Sequence, residues 1–237
     1  MGNLLFVADA AWHIWALASG HTEYTLISKF LLCFILAILL KQQLGNRLPV
    51  TVLVAVLFCL VGDVLLQALD LNYADLSGER QVHFILGVLC FCVAYGQLAL
   101  YFLRLNPDCL TQIRTHPGIL LFNVFITLAV LIWMTLHNQA PAYLLIVLWL
   151  YSPVVVAAAT LAAYTQTALR LPLYLMLIAG TNVIVFSDTV IGLTVFAKMT
   201  MPVLSNPVWI LSTYMVGIGL VFNAVIQIEQ KRSARVE

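Results

Sequence analysis

Residues 53–69, LVAVLFCLVGDVLLQAL, decide how the chain must be read. Every side chain from Leu53 to Val61 is apolar. A bilayer's hydrocarbon core is about 30 Å thick, so a crossing helix needs about 20 mostly apolar residues. In the middle of this run stands Asp63. A carboxylate at membrane depth costs roughly 2.5–3.5 kcal/mol on insertion scales. Such a residue persists because a partner or a function holds it.

The rest of the chain has the same character. Of 237 residues, 63% are hydrophobic and 9% charged, where a soluble domain has about 25% charged residues. Mean hydropathy is +1.02. This composition is that of an integral membrane protein. A formal net charge of +1 gives no reason to expect nucleic acid as a partner. Four of the five cysteines, Cys33, Cys59, Cys90 and Cys92, lie in apolar runs, and with Cys109 they form no disulfide or zinc pattern. We expect one transmembrane domain over 1–237, ending in a short basic cytoplasmic tail at 230–237. The N-terminal run has no basic n-region, so it is expected to be retained as a helix.

Turn and charge clusters cut the chain into eight apolar runs, near 3–19, 24–41, 49–69, 82–104, 117–136, 141–164, 171–197 and 207–229. The separators SGHTE, KQQLGNR, DLNYADLSGER, RLNPDCLTQIRTHP, HNQAP, TQTALRLP and AKMTMPVLSNP read as loops. The fold class is therefore all-α, a polytopic transmembrane bundle of about eight helices. Lys and Arg collect in cytoplasmic loops. With the N-terminus inside, that side receives Lys41, Arg47, Arg104, Arg114, Arg170, Lys231, Arg232 and Arg235. The outside receives only Arg80 and Lys198, together with Glu23, Asp70, Asp75 and Glu79. Both termini are expected in the cytoplasm.

Four ionisable residues stand out within the runs: Asp9, Lys29, Asp63 and Asp188. At 1.5 Å per residue, Lys29, Asp63 and Asp188 lie roughly 8, 9 and 13 Å below the outer edge. Asp9 falls in the inner half. Three charges from three helices at one depth suggest one polar pocket, since intramembrane charges face the bundle interior and pair. One Lys with two Asp leaves one negative charge unmatched. Carboxylates with unequal neighbours can hold different protonation states, the arrangement general acid–base catalysis needs. Each Asp alone is also explained as a structural partner of a Lys. A proton relay would need polar groups through the full depth. The inner half offers only the scattered Asp9, His13, Tyr95, Gln97, Asn123, Asn223 and Gln227.

Other chemistries find little support. No two histidines have i, i+3 or i+4 spacing, so no helical metal site is expected. There is no G-x-S-x-G elbow. Ser187 and Asp188 are adjacent, and adjacent helical residues do not face each other. Asn182, Asn223 and Gln227 read as interhelical hydrogen-bond formers. Tyr24, Trp149 and Trp209, near run ends, read as interface anchors.

Four features resemble the YhhN-like lysoplasmalogenase family of eight-helix membrane proteins. GDVLL at 62–66 is similar to its G-D-x-x-L segment, and FILGVLCF at 84–91 to its F-x-x-G-x-x-x-F. GTNVIVFSDTVIGLTVF at 180–196 is similar to its segment with Ser-Asp, and Lys29 to an early Lys. Three positions depart: Phe30 stands where Pro is usual, Tyr95 where His is common, and Ile218 where Gln is common. Tyr214 fits a family Tyr in the last helix. The resemblance implies hydrolysis of the sn-1 vinyl ether of a lysophospholipid, giving a fatty aldehyde and a glycerophospho-headgroup. It implies no metal and no other cofactor. Asp63 and Asp188 would be the catalytic acid/base pair, in either order. Lys29 would tune them or bind phosphate, with Tyr95, Thr181, Asn182, Ser187 and Tyr214 in support and Thr181 placing water. A non-enzymatic lipid carrier and a proton-coupled transporter are the other expectations. The expected location is a bacterial cytoplasmic membrane.

Overall fold

The computed structural model describes residues 2–67, 78–199 and 206–233. Among these the chain is helical and contains no strand. The helices are α1 (Gly2–Ala18), α2 (Thr22–Leu44), α3 (Val50–Gln67), α4 (Glu79–Leu105), α5 (Cys109–Thr115), α6 (Gly118–Leu136), α7 (Leu144–Ala163), α8 (Leu171–Phe196) and α9 (Pro207–Ser233). All eight expected helices are present. The additional one, α5, lies in the loop between the fourth and fifth expected runs. Its seven residues are too few for hydrophobic periodicity to reveal. Gln112, on α5, donates to Thr167 Oγ1 at 2.6 Å. Just before it, Asn106 donates to the Tyr164 carbonyl at 2.6 Å.

Among the described residues, six helices are long and apolar enough to cross a membrane: α2, α4, α6, α7, α8 and α9. The chain is a multi-pass membrane protein. α1 and α3 are apolar but shorter. At 1.5 Å per residue an 18-residue α3 spans about 27 Å. The expected continuation of α3 to residue 69, with Asp70 and Asp75, lies outside the described residues. Bulky apolar side chains on α6, among them Leu121, Phe122, Phe125 and Leu136, point outward, as lipid contact requires.

Six helices form a closed ring in the order α2, α3, α4, α7, α8, α9 and back to α2. α1 packs outside the α2–α9 seam, and α6 outside the α7–α8 seam. Two glycine pairs set the closest approaches. In lipid no hydrophobic drive joins helices, so association depends on close van der Waals packing of small residues. A Cβ on Gly180 would sit 2.9 Å from the Gly217 carbonyl, and one on Gly217 would sit 3.0 Å from the Gly180 carbonyl. Neither backbone can yield, so α8 and α9 meet only because both residues are glycine. On α3 and α4 a Cβ at Gly62 would meet the Phe91 ring at 2.9 Å, and one at Gly87 would meet Leu66 at 2.8 Å. Gly62 immediately precedes Asp63, so this crossing also sets where the carboxylate stands.

Candidate active site

The ring surrounds a cavity to which all six helices contribute, within about 670 Å³ of space not filled by protein atoms, part of it open to the exterior. Its wall is apolar except for Lys29, Asp63, Tyr151, Asp188 and Tyr214. Lys29, Asp63 and Asp188, predicted from depth to share a pocket, line this one cavity. Asp9 does not. It is buried on α1, and neither carboxylate oxygen has a partner among the described residues.

The two carboxylates have unlike surroundings. Asp63 is 1% exposed and receives three donors from two other helices. Lys29 Nζ lies 3.7 Å from Oδ1 as an ion pair. Tyr214 Oη donates to Oδ2 at 3.0 Å, and Cys33 Sγ donates to the same oxygen at 3.2 Å. Lys29 and Cys33 are one turn apart on α2, the spacing that puts two side chains on one face. Asp188 is partly exposed to the cavity and makes no ion pair among the described residues. Among the described residues its one hydrogen bond is from Tyr151 Oη to Oδ2, at 2.5 Å. A buried anion needs pairing and hydrogen bonds. Asp63 has both, and Asp188 has a single hydroxyl.

Aromatic rings brace this layer. Tyr214 meets Phe91 edge-on at 5.9 Å, and Phe91 stacks on Tyr95 at 6.0 Å. Tyr95 in turn leans on Tyr151 at 6.1 Å. Its hydroxyl is buried and makes no well-formed hydrogen bond among the described residues. Above the carboxylates, Phe84 and Phe196 meet edge-on at 6.5 Å on the cavity wall.

Three expected supporting residues stand elsewhere. Ser187 is turned onto α9, where its hydroxyl donates to the Ile210 carbonyl at 2.8 Å. Adjacent helical residues point apart, so Ser187 fixes the helix that presents Asp188 while facing away from the cavity. Thr181 lies seven residues before Asp188 on α8, about 10 Å along the axis. Its hydroxyl donates to the Leu177 carbonyl at 3.1 Å, and it does not line the cavity. Asn182 is exposed and donates to the Ile178 carbonyl of its own helix at 2.7 Å. Ile218 is 1% exposed in the apolar core.

Sequence reading missed Tyr151 and Cys33. The i, i+4 spacing of Lys29 and Cys33 was a usable signal. For Tyr151 there was none, since an aromatic in an apolar helix is ordinary core. Another missed contact is His13 Nδ1 with Ser28 Oγ at 2.5 Å, which ties α1 to the turn that carries Lys29.

Residues 24–225 match the model of the YhhN family, and the chain belongs to that family. The match begins in α2 and ends within α9, so it takes in all or part of every ring helix and leaves α1 outside. No curated protein and no solved structure matches the chain.

Proposed function

We propose that this YhhN-family membrane protein is a hydrolase that cleaves the sn-1 vinyl ether of lysoplasmalogen, releasing a fatty aldehyde and a glycerophospho-headgroup. The observation that carries the reading is the inequality of the two carboxylates around one mostly apolar cavity. Asp63, ion-paired with Lys29, is the fixed negative charge. Asp188, which makes no ion pair among the described residues, is the proton donor.

The proton of Asp188 passes to the vinyl carbon remote from oxygen. The remaining cation is an oxocarbenium, and the negative charges of Asp63 and of the newly ionised Asp188 face it. Water adds to the carbon that bears oxygen and gives its proton back to Asp188. The hemiacetal so formed collapses to aldehyde and free sn-1 hydroxyl. One water is consumed and the carboxyl group is restored. General acid–base catalysis of this kind contributes typically 10²–10⁴-fold. The depth of the site suits a lysolipid, whose ether oxygen lies just below the headgroup. In this reading the protein resides in a bacterial cytoplasmic membrane, with the cavity toward the outer half.

The apolar wall would also serve a lipid carrier that binds without turnover. A proton-coupled transporter is less well supported, because polar groups of the inner half bond one another. Asn123 donates to Thr160 at 2.8 Å, Gln227 to Asn223 at 3.3 Å and Tyr101 to Glu229 at 2.8 Å. The test compares purified protein on a lysoplasmalogen and on the same lipid with a saturated sn-1 ether. Aldehyde from the vinyl ether alone supports the hydrolase. Tight binding of both lipids with no aldehyde from either replaces it with the carrier.

A further inference from the structure

A second cavity, within about 530 Å³ of space not filled by protein atoms and partly open to the exterior, lies outside the ring in the cleft between α6, α7 and α8. Leu148, Tyr151, Asp188 and Gly192 line both cavities. The two spaces therefore adjoin at the Tyr151–Asp188 hydrogen bond. Gly192 stands one turn beyond Asp188 on the same face. A Cβ there would approach Met134 Cε to 3.0 Å and Sδ to 3.3 Å, so the missing side chain keeps this junction open. From Gly192 the cleft runs inward along α8 to Val185, seven residues or about 10 Å.

The lining says what fits. It is mostly aliphatic. The hydroxyls of Thr127 and Thr189 are spent on the Asn123 and Val185 carbonyls of their own helices, at 2.6 and 2.7 Å. The other polar groups, Tyr151, Ser152 and Asp188, are at the junction end. α6, which forms the outer wall, buries only Leu131 and Met134 among its residues. It is the ring's least embedded neighbour, facing lipid on most of its surface.

We propose that this cleft is the hydrocarbon-chain subsite of the enzyme, holding the sn-1 chain of the lysolipid with its first carbons against Asp188. The proposal rests on the hydrolase reading for the identity of the lipid. A chain lying there extends toward the bilayer centre while the headgroup stays outward, and it enters sideways past α6. The larger groove between α1, α2 and α9, about 1,060 Å³, shares no lining residue with the catalytic cavity and cannot serve this role.

The test uses a lysophosphatidylethanolamine analogue with a diazirine near the end of its sn-1 chain. The protein in lipid nanodiscs is irradiated and the labelled peptides are mapped by mass spectrometry. Label on α6, α7 and α8 near Thr127, Val155 and Val185, displaced by unlabelled lysoplasmalogen, is the expected result. Val130→Trp and Val185→Trp should abolish that label. They should also cut aldehyde release from long-chain substrate on the order of a hundredfold, the loss of burying roughly four methylenes. A short-chain vinyl ether should be spared. Displaceable label confined to the α1–α2–α9 groove, or an unchanged chain-length profile in both variants, overturns the proposal. Labelling needs no turnover, so cleft labelling without aldehyde release would refute hydrolysis and leave the chain subsite standing.

Discussion

Lys29→Met should destabilise the protein sharply, and Asp63→Asn added to it should restore most of the loss. The two side chains are 3% and 2% exposed and their charges lie 3.7 Å apart. At an effective dielectric of about 20, charges at that distance attract by about 4.5 kcal/mol. Breaking a buried pair by removing one partner typically costs about 3–5 kcal/mol, because the other charge is left uncompensated. Met keeps the length and apolar stem of Lys, so little packing is lost. Tyr214 and Cys33 still donate to Asp63, which places the expected loss toward the lower end, about 3 kcal/mol. In the double variant no charge remains, and a buried pair replaced by neutral groups is often neutral in stability. The assay is reversible unfolding in mixed detergent micelles for all four members of the cycle. A coupling energy below about 1 kcal/mol would refute the pairing that makes Asp63 the fixed anion.

Gly217→Ala should cost about 1–3 kcal/mol by overpacking, since its Cβ would meet the Gly180 carbonyl at 3.0 Å and Ile184 at 2.7 Å; the same unfolding assay reads it. Tyr151→Phe removes the one donor to Asp188 and should lower stability by about 1 kcal/mol, with slower aldehyde release and unchanged lipid affinity. Tyr95→Phe removes a buried hydroxyl with no well-formed hydrogen bond among the described residues, so stability should hold or rise by up to about 1 kcal/mol. Cysteines placed at Arg114 and Lys198 should react with impermeant thiol reagents from opposite sides of the membrane, Arg114→Cys from the cytoplasm only.

Most of the fold was legible because membrane helices announce themselves twice, by apolar length and by the loops that interrupt it. The eight runs needed nothing more than the rule that lipid tolerates no unpaired backbone. Helix α5 escaped because seven residues carry no period. The convergence of Lys29, Asp63 and Asp188 was readable from depth alone, since charges in lipid have few places to go. Which partner each carboxylate holds was not readable. That depends on helix rotation, set by the glycine contacts at Gly62–Gly87 and Gly180–Gly217. The same rotation turns Ser187 onto α9 and puts Tyr151 against Asp188. Thr181 shares the helical face of Asp188 but lies about 10 Å from it along the axis, while Asn182 and Ser187 point away from the cavity.

The most direct measurement is aldehyde release and lysoplasmalogen binding on the same preparations of wild type, Asp63→Asn and Asp188→Asn. The account predicts that both variants still bind the lipid and that turnover falls by about 10²–10⁴-fold in Asp188→Asn, with a large loss in Asp63→Asn as well. Undiminished aldehyde release from folded Asp188→Asn protein would contradict it.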